Sequence, residues 1–187
     1  MAEKTIDIAS PILSRNERLA DQLRQRFNET NTYVINVLSS PGSGKTTTIL
    51  GTNERLRDKA GLRCAVIEGD TITMKEAGMP AIQINTGGLC HLEGNMIMEA
   101  VDAFDQAVGL ENIDVIFIEN VGNLVCPVDF DLGENLSIMI LSVPEGDDKP
   151  IKYPGIFQHA GAQLLNKVDV APAFDFDMDR YTKTLDD

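Results

Sequence analysis

The sequence predicts an α/β fold in three layers, a mostly parallel central sheet flanked by helices. Three observations predict it. Short β-rich runs alternate with helical patterns along the 187 residues. One of those runs, Val115 to Ile118 (VIFI), is uninterruptedly apolar, as a strand covered on both faces must be, and Leu136 to Val143 (LSIMILSV) reads as another. A glycine-containing stretch, Ser39 to Thr46 (SSPGSGKT), falls between a strand pattern and a helix pattern.

The elements follow in order. Ser10 and Pro11 suit the cap and first turn of a helix. Ile12, Ala20, Leu23 and Phe27 then recur at helical spacing, so residues 11 to 28 read as amphipathic, within an N-terminal helix placed at 10–30. Tyr33 to Leu38 (YVINVL) is the first strand. Thr46 to Arg57 is expected to be helical, although its threonines and Gly51 have poor intrinsic propensity. Arg63 to Ile67 and Ala81 to Ile84 are further strands. Leu92, Met96, Ala100, Phe104 and Val108 lie four apart and mark a long helix. After the two apolar strands, Ile156 to Ala160 reads as helical and Leu164-Leu165 as the last strand. Alternation of this kind joins parallel strands through right-handed crossovers. No repeat or low-complexity linker divides the chain, which reads as one domain over 1–187.

Composition narrows the function. The net charge of −13 repels a phosphate backbone, which argues against a nucleic-acid partner. MAEKTIDIAS has no apolar run of signal-peptide length, and no segment approaches the ~18 apolar residues of a membrane span, so a cytoplasmic protein with no membrane contact is expected. Three cysteines, Cys64, Cys90 and Cys126, are too few and too scattered for a disulfide scaffold.

SSPGSGKT matches G-x-x-x-x-G-K-[ST] except that Ser39 stands where the first glycine would. Gly42 and Gly44 let the backbone turn so that its N–H groups, that of Ser43 included, point at phosphate oxygens. Lys45 can reach the β- and γ-phosphates, and the Thr46 hydroxyl can ligate Mg2+. The helix that starts with Thr46 and Thr47 aims its positive end at the anion. A serine at 39 is tolerated where that corner does not need a positive φ.

Asn166-Lys167-Val168-Asp169 follows the last apolar pair. A carboxylate at Asp169 can accept two hydrogen bonds from guanine, at N1–H and the exocyclic amine. Adenine has no such pair and would leave the carboxylate unmatched. Asn166 and Lys167 would support the loop and cover the base. GTP or GDP is therefore the expected nucleotide. Asp70 and Glu119 sit at strand ends, where ligands of open α/β sheets bind. Either could hold Mg2+, and Asp70 could orient the attacking water, so Lys45, Asp70 and Glu119 form the expected catalytic set. Gly122 would let the backbone approach the γ-phosphate. The structural alternative for each carboxylate is a helix cap or a loop charge.

Cys90-His91 and Cys126 both follow strand ends on the nucleotide side. Thiolate and imidazole are good ligands for Ni2+ or Zn2+. Residue types alone leave the alternative open, that these are buried thiols and a capping histidine. One chain offers three ligands, so a fourth must be water, another side chain or a second subunit. Cys64, inside a strand, reads as core, and His159 as structural or solvated.

These stretches resemble the HypB family, GTPases that help deliver nickel to [NiFe]-hydrogenase. VLSSPGSGKTTT, VIEGD, INTGGLCHLEGNM, IENVGNLVCPVDFDLGEN, SVPEGDDKPIKYP, LLNKVD and FDFDMDRY carry the resemblance from about residue 5 onward. A serine at the first glycine of the phosphate loop is usual in that family. The resemblance implies a phosphate-loop GTPase fold, slow turnover of GTP to GDP, and dimerisation when GTP binds. It implies a nickel or zinc site at Cys90, His91 and Cys126 near the dimer interface. The implied partners are a second copy, a HypA-type nickel-binding accessory protein and the hydrogenase large subunit.

The chain departs from the family pattern in three places. It has no N-terminal CxxCGC or histidine-rich stretch, so no nickel-storage role is expected. The segment between Asp70 and Pro80 is shorter than the family's switch segment. The family's last strand and helix are expected to be missing after Asp187. A competing function is a metal-binding module that holds nucleotide without turning it over. A phosphate-loop kinase is disfavoured by NKVD and by the lack of an arginine lid.

Overall fold

The computed structural model describes residues 9–68 and 78–186. Asp70, and with it most of the segment leading to Pro80, lies outside the described residues. The elements run α1 (Ala9–Thr30), β1 (Tyr33–Ser39), α2 (Lys45–Ala60), β2 (Cys64–Glu68), β3 (Ala81–Gln83) and α3 (Gly94–Val108). Then come β4 (Val115–Glu119), β5 (Leu136–Ser142), α4 (Lys149–Lys152), α5 (Pro154–His159), β6 (Ala162–Asn166) and α6 (Met178–Asp186).

The described strands form one sheet in the order β3-β2-β4-β1-β5-β6, with every neighbouring pair parallel. The central strands β2 and β4 are buried along their whole length, which is why VIFI carries no polar alternation. Alternate side chains feed opposite faces. On one face Val34, Ala65, Ile67, Ile116 and Ile118 pack on Leu23 and Phe27 of α1 and on Ile97, Val101 and Phe104 of α3. On the other, Val37, Val66, Phe117 and Ile140 meet Ile49 of α2. A third cluster joins Leu38, Met139 and Leu141 to Ile156 and Phe157 of α5 and Tyr181 of α6. The result is three layers, as the alternation of patterns predicts. No helix among the described residues is long and apolar enough to cross a membrane.

Differences from the sequence reading are local. Leu92 is buried but precedes α3, because the helix starts at Gly94, whose N–H donates to Asn16 Oδ1 at 2.7 Å. Short 3-10 turns at Cys126–Asp129, Val143–Glu145 and Val168–Ala173 carry no helical periodicity and are not visible as patterns. Gln163 lies half-buried on β6, at the edge of the described sheet; its Nε2 donates to Phe157 O at 3.1 Å, while its Oε1 is buried without a hydrogen-bond partner among the described residues. Cys64 is core, and burial pushes its thiol up to about 11.

Candidate functional site

Parallel strands end together, so the loops after β1, β3, β4 and β6 gather at one end of the sheet. The loop after β1 carries SSPGSGKT. Ser39 is the last residue of β1, and the left-handed non-glycine residues among those described are Asn31 and Lys167. The corner therefore does not need glycine. The serine hydroxyl instead accepts a hydrogen bond from Lys45 Nζ at 2.9 Å, which lays the lysine back over the loop. Gly42 (φ 75°) and Gly44 (φ 102°) take the positive φ values that a Cβ resists, and Gly44 caps α2. The first turn of α2, with Lys45, Thr46 and Thr47, turns the positive end of the helix toward this loop.

Two other loops close on it. Asn166 ends β6, and its Nδ2 donates to Ser43 O at 2.9 Å. A Cβ on Gly44 would lie 2.3 Å from that nitrogen, so a side chain there would push the Asn166 amide off Ser43 O in addition to straining the positive φ. Lys167, left-handed at φ 56°, donates from Nζ to Gly42 O at 2.7 Å. Asp169 stands exposed in the following 3-10 turn. On the other side Glu119 ends β4, and its Oε1 accepts from Thr46 Oγ1 at 2.7 Å. A Cβ on Gly122 would come within 2.8 Å of Pro41 N, so this glycine lets the segment after β4 lie directly on the phosphate loop.

That segment leads to a second cluster. Asn123 Oδ1 accepts from the N–H groups of Val125 (2.7 Å) and Cys126 (3.0 Å), folding the chain into the 3-10 turn that Cys126 opens. Cys90, His91 and Cys126 each offer a ligand atom, and these atoms lie within 4.8 Å of one another. Cys90 Sγ faces His91 Nδ1 at 3.7 Å, while His91 Nε2 meets Glu93 Oε1 at 3.3 Å. The imidazole stacks on Phe130 with centroids 3.9 Å apart and planes 23° apart. Two thiols and an imidazole nitrogen directed at one point suit a soft or borderline divalent cation. The outer nitrogen held by a carboxylate is the arrangement that fixes a ligating histidine's tautomer. The Cys90 thiol beside it, aided by partial burial, raises the pKa of Cys126, so a cation binding here must displace a proton.

The structure thus brings Gly42, Ser43, Gly44, Lys45, Thr46, Gly122, Asn166, Lys167 and Glu119 to one loop cluster, and Cys90, His91 and Cys126 to a neighbouring one. Phe130, Glu93, Asn123 and the Ser39 hydroxyl are further contributors that pattern reading does not single out. Glu93, two residues past His91, is the one with a sequence signal.

The chain is similar to known proteins over most of its length. The family model "CobW/HypB/UreG, nucleotide-binding domain" matches residues 33–187. Hydrogenase maturation factor HypB of Escherichia coli (strain K12) is 46% identical over 183 residues, covering 95% of this chain, which spans 61% of that protein's length. Hydrogenase/urease maturation factor HypB of Helicobacter hepaticus is 43% identical over 189 residues, covering 98% of this chain and 76% of that protein. The crystal structure of HypB from Helicobacter pylori in complex with nickel superposes with a TM-score of 0.83 at 40% identity, over 91% of this chain and 80% of that one. With the family model spanning residues 33–187 and relatives of the HypB name matching nearly the whole chain at 43% to 46% identity, the chain belongs to the CobW/HypB/UreG family, in its HypB branch.

Proposed function

We propose that this chain is a GTP-hydrolysing metallochaperone that assists nickel insertion into [NiFe]-hydrogenase. One observation carries the reading: the stretch from Glu119 to Cys126 is continuous with both clusters. It touches the phosphate loop through Glu119 and Gly122 and ends on a thiol of the Cys90–His91–Cys126 group. The relatives support the same reading: Escherichia coli HypB is a hydrogenase maturation factor, and Helicobacter pylori HypB has been crystallised in complex with nickel.

In this account the loop N–H groups and Lys45 hold the phosphates. Thr46 and Glu119 are the residues that would hold Mg2+, which neutralises charge on the β- and γ-oxygens when bound. Asp70 orients the attacking water, and Asp169 reads the guanine edge, with Asn166 and Lys167 bracing its loop against Gly42 and Ser43. Nickel is the cargo, with zinc a competing ligand of the same donor set. A second copy closes the site: Leu89 and Val125, neighbours of Cys90 and Cys126, expose 43% and 61% of their surface to solvent. A HypA-type nickel-binding protein and the hydrogenase large subunit are the further partners, in the cytoplasm. GTP hydrolysis then changes the 119–126 segment and with it the thiol geometry.

Turnover tests this. GTP hydrolysis in the wild type, abolished in Lys45→Ala, supports it. Binding without hydrolysis in the wild type would leave a nucleotide-holding metal module instead. Equal displacement of labelled GTP by ATP would overturn the role given to Asp169.

A further inference from the structure

Amide side chains in the middle of a buried sheet must find hydrogen-bond partners, because water cannot reach them. Asn36, mid-strand in β1, is 0% exposed, and Asn120, directly after β4, is 1% exposed. Their bonds form one chain. Val121 N–H donates to Asn120 Oδ1 at 2.9 Å. Asn120 Nδ2 donates to Asn36 Oδ1 at 3.2 Å, and Asn36 Nδ2 donates to Glu134 Oε1 at 3.0 Å. Each donor points toward the same carboxylate. Ser137 Oγ (2.7 Å, to Oε1) and Leu132 N (2.9 Å, to Oε2) donate to it as well, and His159 Nε2 faces Oε1 at 3.9 Å. A row of bonds all aligned on one charge polarises every member.

The two ends of this row lie at opposite ends of the sheet. Glu134 precedes the start of β5, beside a cleft of about 280 Å³ that Arg24, Asp131 and His159 also line. Asn120 sits between Glu119, which meets Thr46, and Gly122, which lies on Pro41. We propose that Glu134, Asn36 and Asn120 are a positioning device for the 119–126 segment. The anchored carboxylate fixes the Asn36 amide, which fixes Asn120, which holds the Val121 N–H and so seats Gly122 on the phosphate loop. The side-chain hydrogen bonds of the three go to one another, to Val121, Leu132 and Ser137, and not to the phosphate loop or the cation cluster; they act through the backbone between the two. A filler role would be served as well by leucine-sized side chains, without the cost of burying three polar groups. The structural part of this inference stands alone, and its kinetic part rests on the GTPase reading.

Amide hydrogen exchange on the full chain without nucleotide tests it, in wild type, Asn36→Leu and Glu134→Gln. The expected result is exchange about tenfold faster at Val121, Val125 and Cys126, with Phe117 and Ile118 of β4 unchanged. Unchanged exchange in the segment, or an equal rise at Phe117 and Ile118, would overturn the proposal. Glu134→Gln keeps the side-chain volume and decides the matter if Asn36→Leu does not fold. In a hydrolysing wild type, both variants should lose about tenfold in kcat while nucleotide Kd is kept. Unchanged kcat there counts against the device. A wild type that does not hydrolyse GTP sinks the GTPase reading instead, and exchange still decides this one.

Discussion

Thr46 Oγ1 donates a 2.7 Å hydrogen bond to Glu119 Oε1. The second residue of α2 and the last residue of β4 are thereby in contact at the phosphate end of the sheet. Both are oxygen ligands of the kind Mg2+ takes, and a cation held by both would take the place of this hydrogen bond, the hydroxyl keeping its proton. Thr46→Val removes the hydroxyl at nearly constant volume. Mg2+-dependent GTP hydrolysis should fall about a hundredfold, while nucleotide binding in Mg2+-free buffer is kept. Loss of binding without Mg2+ would mean that Thr46 shapes the loop rather than the metal position.

Asp169 is exposed and two residues beyond Lys167, whose Nζ is anchored on Gly42 O. In the proposed reading it would accept two hydrogen bonds from guanine. In Asp169→Asn one acceptor becomes a donor, which matches the 2-oxo group of xanthine rather than the 2-amine of guanine. Affinity for GTP should fall about a hundredfold and that for XTP should rise. A competition assay with labelled nucleotide reads both; an unchanged GTP affinity would place the base elsewhere.

Glu134 and His159 face each other across 3.9 Å, with Asp131 and Arg24 nearby. Burial works to raise Glu134, but contacts with His159, Asn36 and Ser137 outweigh it and hold the carboxyl at about 2, against an ordinary 4.5. The carboxylate raises His159 above its ordinary 6.5, against the pull of burial. The carboxylate's contribution to stability is present above its ordinary value and lost as pH falls toward 2. The imidazolium's is present below 6.5 and lost as pH rises through its raised value. The pair therefore contributes most between the two ordinary values. The Tm gap between wild type and Glu134→Gln should be widest near pH ~5.5 and narrow by a few degrees at pH ~8.5. A gap that does not change between those pH values would remove His159 from the account.

Much of the fold is legible in the sequence, for particular reasons. VIFI has no polar residue because β4 is covered on both faces, and Leu23 and Phe27 mark the buried stripe of α1. Gly42, Gly44, Lys45 and Thr46 are readable because the loop's φ values and ligand chemistry restrict the residue types at each place. Cys90, His91 and Cys126 are readable as ligand types at strand ends, and the family resemblance groups them as one site; residue types alone leave that grouping open, since 35 or more positions separate the last from the other two and the sheet's parallel order is what joins their loops. Asn36 was not readable at all: one polar letter in YVINVL looks like a flaw in a strand until Asn120 and Glu134 are placed around it. Phe130 is similar, an aromatic in a loop whose role is set by the ring of His91.

The central claim is that nucleotide state and metal geometry are linked through the segment from Glu119 to Cys126. Nickel affinity measured by chelator competition, once with GDP and once with a non-hydrolysable GTP analogue, tests it most directly. The account predicts affinity at least about fivefold tighter in the analogue state, with the difference lost in Cys126→Ser. Equal affinities in the two nucleotide states of the wild type would contradict it.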